Sequence, residues 1–201
     1  MASNIDTVTI FGVNPETNDF NELHTRVNRL GEVLIKDQPS RIIFLGGESW
    51  VSGGRTVTEA GVIAERAEQQ LSGLLPNEII KLPYGLETIS QTHALMDYMA
   101  DTDIQPGSME MISTWHQLMR SATVLLMNGY ELPTFSPLPS EGTAADIAYD
   151  VCINALAGVG YTLVSEFLQK KGLWTDGGPL IRKINKERKE RKSFSWFNFK
   201  K

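Results

Sequence analysis

The amino-acid sequence predicts an α/β fold: an open, mostly parallel sheet with helices on both faces, in three layers. Short apolar runs alternate at least four times with segments of helical apolar spacing, and short loops join them. The run 41–45 ends in Gly46 and Gly47, and a helix with a capping pattern follows it. Polar residues gather after each run, which indicates a small-molecule site where parallel strands end at a common edge.

Each predicted strand is a short apolar or β-branched run bounded by turn residues. Gly12 and Pro15 close the first run, and the two glycines close the second. The last run contains Pro133, so we expect it to be a weak strand at an edge of the sheet. In chain order, the predicted strands are residues 8–13, 41–45, 78–82, 109–113 and 131–135.

Each predicted helix carries apolar residues three or four positions apart. Two of them begin with a capping-box pattern, formed by Thr56 with Glu59 and by Thr88 with Gln91. Gly129 is placed to end the fourth helix. In chain order, the predicted helices are residues 18–36, 56–74, 88–100, 115–127 and 143–171.

Length and composition fit one α/β domain, residues 1–175, followed by a tail, residues 176–201. The chain has 201 residues, of which 41% are hydrophobic, and this is enough for a substantial core. The single cysteine, Cys152, excludes an intramolecular disulfide and a Cys-rich metal site. It lies in an apolar helical pattern, so we expect a buried, inert thiol. The three histidines are scattered, so no metal site is predicted.

Charge is distributed unevenly along the chain. The net charge is −5, but residues 182–201 hold nine Lys/Arg and two Glu, a net of +7, so the rest carries −12. An acidic body argues against nucleic acid as the main ligand. The start lacks a signal-peptide pattern and no apolar stretch is long enough for a bilayer, so we expect a soluble cytoplasmic protein.

The ends of the predicted strands define the candidate site, because parallel strands end at one edge of the sheet. The glycines there would let a ligand approach the backbone, or would only make the turns. Glu59 would bind a ligand or only cap its helix, and Thr92 would face the edge or bond locally. Glu87 would be an acid/base or a favourable first-turn charge. The candidates along this edge are Gly12, Asn14, Gly46, Gly47, Glu48, Glu59, Glu87, Ser90, Gln91, Thr92, Ser113, Thr114 and His116.

His116 and Arg120 lie four residues apart on the helix that follows the fourth strand, and hence on one helix face. A surface histidine is common, but an arginine one turn away makes an anion-binding pair the stronger interpretation. The pair Gly53-Gly54 marks a loop, or closes over a ligand. The dinucleotide-binding, phosphate-loop and nucleophile-elbow fingerprints are all missing from the sequence.

Taken in order, these motifs resemble the YdcF-like family, which includes SanA and ElyC. The resemblance implies a Rossmann-like fold and a possible adenosyl ligand such as S-adenosylmethionine, without an assigned reaction. The His-Arg spacing is four here and usually three in the family, and Ala94-Leu95 stands where Glu-Asn is common. The matching segments are residues 42–47, 58–60, 87–92 and 113–116, with Arg120, and Arg26 resembles a family arginine in the first helix.

The tail combines a basic run, residues 182–192, with Phe194, Trp196, Phe197 and Phe199. Basic residues beside aromatics suit an anionic membrane surface or a groove on a partner protein. The alternative is that the tail is a solvated terminus. RNA binding by the tail is a third interpretation, with less support.

The leading functional hypothesis is a cytoplasmic protein that binds a small anionic or nucleotide-like ligand at the strand ends. Glu87 and His116 are the catalytic candidates if it is an enzyme, and His116 with Arg120 would hold the anionic group. Gly46 and Gly47 would admit the ligand to the backbone. The alternatives are a binding or regulatory module without catalysis, and a peripheral envelope-associated protein located by its tail.

Overall fold

A parallel sheet of five strands forms the centre of the molecule in a computed structural model. The structure describes residues 5–12, 20–52, 55–85, 88–138 and 156–171. The five strands are β1 (Thr7–Phe11), β2 (Arg41–Leu45), β5 (Glu78–Leu82), β6 (Met109–Ser113) and β7 (Thr134–Pro137), and a separate hairpin comprises β3 (Glu48–Ser52) and β4 (Arg55–Thr58).

Five helices are described. They are α1 (Phe20–Asp37), α2 (Glu59–Leu71), α3 (Thr88–Thr102), α4 (Trp115–Met127) and α5 (Leu156–Lys170), with a 3₁₀ turn at Pro106–Ser108. None of the helices in these ranges is long and apolar enough to cross a membrane.

The strand order β5-β2-β1-β6-β7 confirms the predicted open α/β sheet, which is Rossmann-like. All four neighbouring pairs in this sheet are parallel. The chain moves outward from β1 to β2 and β5, then returns to β6 on the other side of β1. The order therefore reverses between β1 and β6, and we call this place the switch point.

The core occupies both faces of the sheet, as alternation along the strands requires. On one face, Val8 and Ile10 of β1 pack with Val27 of α1 and Ile63 of α2. On the other face, Phe11 belongs to the apolar cluster that includes residues of α3 and α4. The layers are therefore helix, sheet and helix, as predicted.

The ends of the central strands are level with one another. Phe11 of β1 is in register with Leu45 of β2, and Ile10 is in register with Ile112 of β6. Residues that follow these strands therefore meet at one edge of the sheet, which we call the carboxyl edge.

The predicted capping box of Thr56 and Glu59 is wrong. Residues 56–58 are β-branched and form strand β4, so α2 begins at Glu59 and not at residue 56. Thr58 is the N-cap, and its hydroxyl accepts a hydrogen bond of 3.0 Å from the backbone N–H of Gly61. The loop expected before this helix is instead the β3–β4 hairpin.

Other elements match the predictions more closely. β2, β5, β6 and α4 have the predicted bounds, and Gly129 follows α4 with a φ of 81°, in the left-handed region that favours glycine. β7 is displaced from the predicted 131–135 to Thr134–Pro137, at an edge of the sheet as expected. Several predictions concern residues outside the described ranges. They are the helix over residues 143–155 with Cys152, the Gly53-Gly54 pair, the domain boundary and the tail.

A buried carboxylate attaches α5 to α3 and α4. Glu166 is only 1% exposed, and it accepts hydrogen bonds from His93 Nε2 at 2.7 Å and from Asn128 Nδ2 at 3.0 Å. Burial would raise the pKa of Glu166, but the bonds from His93 and Asn128 and the nearby charge of Lys170 outweigh it, so the pKa is lowered below 4.5.

A lowered carboxylate pKa makes stability depend on pH in one direction. We expect the Glu166 contribution to be complete above pH 4.5 and to be lost as the pH falls through the lower folded-state value. At pH 7, Glu166→Gln should lower the free energy of unfolding by about 1.5–3 kcal/mol. Urea unfolding at several pH values measures both effects.

Glu65→Gln is the matched control, because Glu65 is an exposed glutamate on α2. It should leave the unfolding free energy and its acid dependence unchanged. Equal stability of the Glu166→Gln and wild-type proteins at neutral pH would contradict the proposed role of this carboxylate.

Candidate functional site

The switch point lies at the carboxyl edge, where β1 leads to α1 on one face and β6 leads to α4 on the other. Ligands of open α/β sheets bind in the crevice that this divergence creates. Gly12 follows β1 and Ser113 ends β6, so both predicted residues belong to the walls of this crevice.

A completely buried arginine lies at the switch point. Arg26 of α1 is 1% exposed. Its Nη1 donates to the backbone oxygen of Phe11 at 2.6 Å and to Ser113 Oγ at 3.3 Å. Its Nη2 donates to Glu22 Oε1 at 2.5 Å and to Gln117 Oε1 at 2.8 Å. One guanidinium therefore joins both central strands, α1 and α4.

The charge on Arg26 is balanced by carboxylates. Burial lowers the pKa of its guanidinium, and the charge and hydrogen bond of Glu22 and the charge of Glu59 offset only part of this lowering. An arginine keeps its charge at neutral pH, so the buried cation needs these partners.

Gln117 connects this cluster to the first turn of α4. Its Oε1 accepts from Arg26, from Ser113 Oγ and from Thr114 Oγ1, the last at 3.3 Å. Thr114 Oγ1 also lies 3.3 Å from Nε2 of His116. The structure therefore brings three predicted residues, Ser113, Thr114 and His116, together at the start of α4.

Thr114 is the N-cap of α4, but its side chain makes no capping hydrogen bond to the helix backbone. Its hydroxyl lies beside Gln117 and His116 instead. The first N–H groups of a helix have no intrahelical acceptor, and the helix dipole adds positive potential there. This end of α4 is therefore suited to a negatively charged group.

Two of the predicted glycines, Gly12 and Gly46, pack against the first turn of α2, and Gly47 packs against Gly85. A Cβ atom added to Gly12 or to Gly46 would lie 2.5 Å from Cβ of Glu59, and one added to Gly47 would lie 2.1 Å from the oxygen of Gly85. Gly46 also has a φ of 153°. Close packing of the chain on itself accounts for these glycines, and their contact with a ligand stays a prediction.

We treat the start of α2 as the opposite wall of the crevice, because the charge of Glu59 acts on Arg26 and its Cβ packs against Gly12. Glu59 Oε2 accepts a hydrogen bond of 3.1 Å from Nε2 of Gln91, which is 4% exposed. The Oε1 atom of Gln91 is also buried, and it has no hydrogen-bond partner among the described residues. Two acceptor groups therefore lie close together on this wall.

Three of the other predicted residues differ in their burial and in the element that they contact. Thr92 is buried between α3 and α4, where its hydroxyl is 2.7 Å from the oxygen of Thr88 and 3.0 Å from Ser121 Oγ. Ser90 is half-buried in the first turn of α3. Arg120 has its guanidinium 5.6 Å from the ring centre of Tyr161, so it turns towards α5.

Two candidates after the strands, Glu87 and Asn14, lie outside the described residues. Sequence reasoning missed Glu22 and Gln117. Glu22 lies four residues before Arg26, and Gln117 lies four residues after Ser113. This spacing could have predicted both contacts, because side chains four apart on a helix or at its start can meet. Among the described residues, no group of three or more His, Cys, Asp or Glu is arranged to hold a metal ion.

The fold and this edge together define an α/β protein with a polar crevice at the switch point. No protein-family model matches the chain, and no curated protein matches it. A solved structure of the cobalt-bound deoxy-D-mannose-octulosonate 8-phosphate phosphatase YrbI from Haemophilus influenzae is 16% identical, with a TM-score of 0.33. The match covers 81% of this chain and 94% of that chain. At this TM-score, the likeness carries no argument about activity.

These comparisons correct the resemblance to the YdcF-like family, which is wrong. No family model matches the chain, so none supports that assignment. The adenosyl ligand came only from that resemblance and loses its basis. The hydrogen bonds of the crevice residues do not depend on that resemblance, so these residues remain candidates for ligand binding.

Replacement of the buried guanidinium should destabilise the protein strongly. We expect Arg26→Met to lower the unfolding free energy by about 3 kcal/mol, because Glu22, Gln117 and the Phe11 oxygen lose their shared donor. Arg26→Lys should recover only part of this loss, since an ammonium group cannot reproduce the guanidinium geometry. Urea denaturation measures both variants.

Arg66→Met provides the control, because Arg66 is an arginine on α2 away from this cluster. Its effect should be below about 1 kcal/mol. Similar losses for the Arg26→Met and Arg66→Met proteins would show that the cluster does not stabilise the switch point.

Proposed function

We propose that this protein binds a small molecule with an anionic group at the carboxyl edge of the sheet, at the switch point between β1 and β6. The observation that carries the proposal is the first turn of α4, which lies at this crevice without a side-chain cap. Its N–H groups and the positive end of its dipole favour a phosphate or carboxylate there.

Side chains of α4 add to this anion site. His116 is half-buried beside the N-cap. Arg120 follows it by one helical turn, and because its guanidinium lies over the ring of Tyr161 on α5, its contact with the anion stays a prediction. A protonated imidazole and a guanidinium both donate charge-assisted hydrogen bonds to anionic oxygens. Nucleotide-like molecules belong to this class of anionic ligands. Their only support is analogy with other open sheets of this strand order.

Arg26 acts here as a positioning residue. Its two terminal nitrogens already donate to four acceptors, and Glu22 and Glu59 balance its charge. It holds Gln117 in place, and Gln117 in turn accepts a hydrogen bond from Thr114 at the N-cap. The positive potential for the ligand therefore comes from α4.

The opposite wall suits a different part of the ligand. Gln91 Oε1 is a buried acceptor that needs a donor, and the Glu59 carboxylate lies within hydrogen-bond distance of the same side chain. A hydroxyl or amino group meets this need. The proposed ligand thus has an anionic group near α4 and a hydrogen-bond donor near α2 and α3.

The proposal concerns binding, and it includes no reaction. The acid/base role of His116 stays a prediction, as does that of Glu87, which lies outside the described residues.

The anion site predicts a dependence on charge at both the ligand and α4. In a thermal-shift panel of nucleoside monophosphates, sugar phosphates and their unphosphorylated counterparts, we expect only phosphorylated compounds to raise Tm. Loss of a charge-assisted hydrogen bond costs about 1.5–3 kcal/mol, so His116→Ala and Arg120→Ala should each weaken binding at least about tenfold.

Arg66→Ala is the matched control and should bind these compounds like the wild type. If the phosphorylated compounds stabilise both α4 variants as much as the wild type, the assignment to α4 is wrong. If the unphosphorylated compounds bind equally well, the anionic class is wrong.

The donor requirement is tested separately at Gln91. Gln91→Met removes the buried acceptor while keeping a side chain of similar length. For the compound with the largest Tm shift, we expect affinity by isothermal titration to fall about tenfold, from one lost hydrogen bond. Gln70→Met, at an exposed glutamine of α2, should have no effect. Equal affinity of the Gln91→Met and wild-type proteins would place the ligand elsewhere.

A further inference from the structure

Helix α5 has its polar and apolar faces reversed relative to an ordinary surface helix. The side chains that it buries include Thr162, Ser165 and Glu166, each no more than 3% exposed. Polar groups are seldom the inward face of a helix unless hydrogen bonds satisfy them.

The outward face of α5 is apolar. Leu156, Leu163, Val164 and Phe167 are 69%, 45%, 56% and 58% exposed. Their positions fall within one stripe about 100° wide on the helix, opposite the buried polar residues. We call these four residues the α5 stripe.

Specific contacts hold α5 in this orientation. Glu166 bonds to His93 and Asn128 on two other helices. Lys170 Nζ donates to the backbone oxygen of Met127 at 2.5 Å. Gly158 lets the aliphatic part of Arg120 approach, since a Cβ there would be 3.0 Å from its Cδ. Rotating the helix to bury the stripe would break these contacts.

Positive charge adjoins the stripe at its C-terminal end. Lys170 and Lys171 are exposed, and Lys171 Nζ lies 5.9 Å from the ring centre of Phe167. The sequence then continues into the tail, where residues 182–201 carry a net charge of +7 and four aromatic residues. Apolar side chains beside lysines and aromatics are the composition of segments that bind the interface of anionic bilayers.

We propose that the α5 stripe, with Lys170 and Lys171 beside it, binds an anionic lipid bilayer, and that the positive charge of residues 182–201 strengthens the attraction. The stripe inserts its apolar side chains between headgroups, and the cations attract the negatively charged lipid. The remaining 181 residues carry a net charge of −12, so repulsion turns the rest of the protein away from the membrane. This surface is independent of the proposed ligand site.

Vesicle co-sedimentation of the full chain tests this surface. We expect binding to vesicles of phosphatidylcholine mixed with phosphatidylglycerol, weak binding to phosphatidylcholine alone, and release by salt. A Leu163→Glu/Phe167→Glu double variant should reduce binding at least about tenfold, because it places charge on the inserted face. An Arg188→Glu/Lys189→Glu variant should reduce it as well, and should weaken its salt dependence.

The control is Ile35→Glu/Leu126→Glu, which changes two exposed apolar residues on α1 and α4 and should leave binding unchanged. Far-UV circular dichroism and thermal melts check that all variants are folded, and Leu163→Ser/Phe167→Ser replaces the glutamate pair if that pair unfolds.

Wild-type binding by the stripe variant would overturn the proposal, as would equal binding to neutral vesicles. A dimer in light scattering that this variant dissociates, without vesicle binding, would assign the stripe to a second copy of the chain and also overturn it.

Discussion

The hydrogen bonds of the Arg26 guanidinium are the constraint on which the arrangement of the switch point depends. In most of the molecule, apolar side chains join helices to the sheet. At the switch point, α1 and α4 diverge to opposite faces, and a polar cross-link replaces apolar packing. Arg26 on α1 reaches the ends of β1 and β6 and, through Gln117, the start of α4. One side chain therefore links the ends of two strands and two helices at this place, and its buried charge is tolerated because the partners that it bonds to are polar.

This cross-link also divides the crevice electrostatically. The α2 wall carries Glu59 and the buried oxygen of Gln91, which are acceptors. The α4 wall carries His116 and the first N–H groups of the helix, which favour acceptors from a ligand. Glu22 and Glu59 offset the charge of Arg26, so the buried cation alone does not set the electrostatic potential of the crevice. A molecule that matches both walls needs two chemically different ends, and this requirement is more selective than charge alone.

Much of the fold was predictable because apolar periodicity reports which side chains face the core. The bounds of β6 and α4 followed directly from runs such as residues 109–113 and from the stripe of residues 115–127. The β3–β4 hairpin was not predictable in this way, since Thr56 to Thr58 fit both a helix cap and a β-branched strand. Antiparallel pairing with Glu48 to Val51 decided between them. The polar cluster was the hardest part to predict. Glu22 and Gln117 look like ordinary exposed residues of amphipathic helices, and only tertiary structure shows that Arg26 reaches both. The buried face of α5 is likewise decided by tertiary contacts, because Glu166 is hydrogen-bonded to His93 and Asn128.

The two edge strands of the sheet, β5 and β7, carry different kinds of residues, and both kinds affect how molecules of this protein associate. At one border, β5 presents Glu78, which pairs with Arg41 at 2.7 Å, and Lys81, which pairs with Glu68 at 3.1 Å. At the other, β7 is only four residues long, follows Pro133 and ends in Pro137, which has no N–H to offer. Charges and prolines in these places discourage a neighbouring molecule from adding its own strand. At both edges of the sheet that the described residues form, these features oppose edge-to-edge association between molecules.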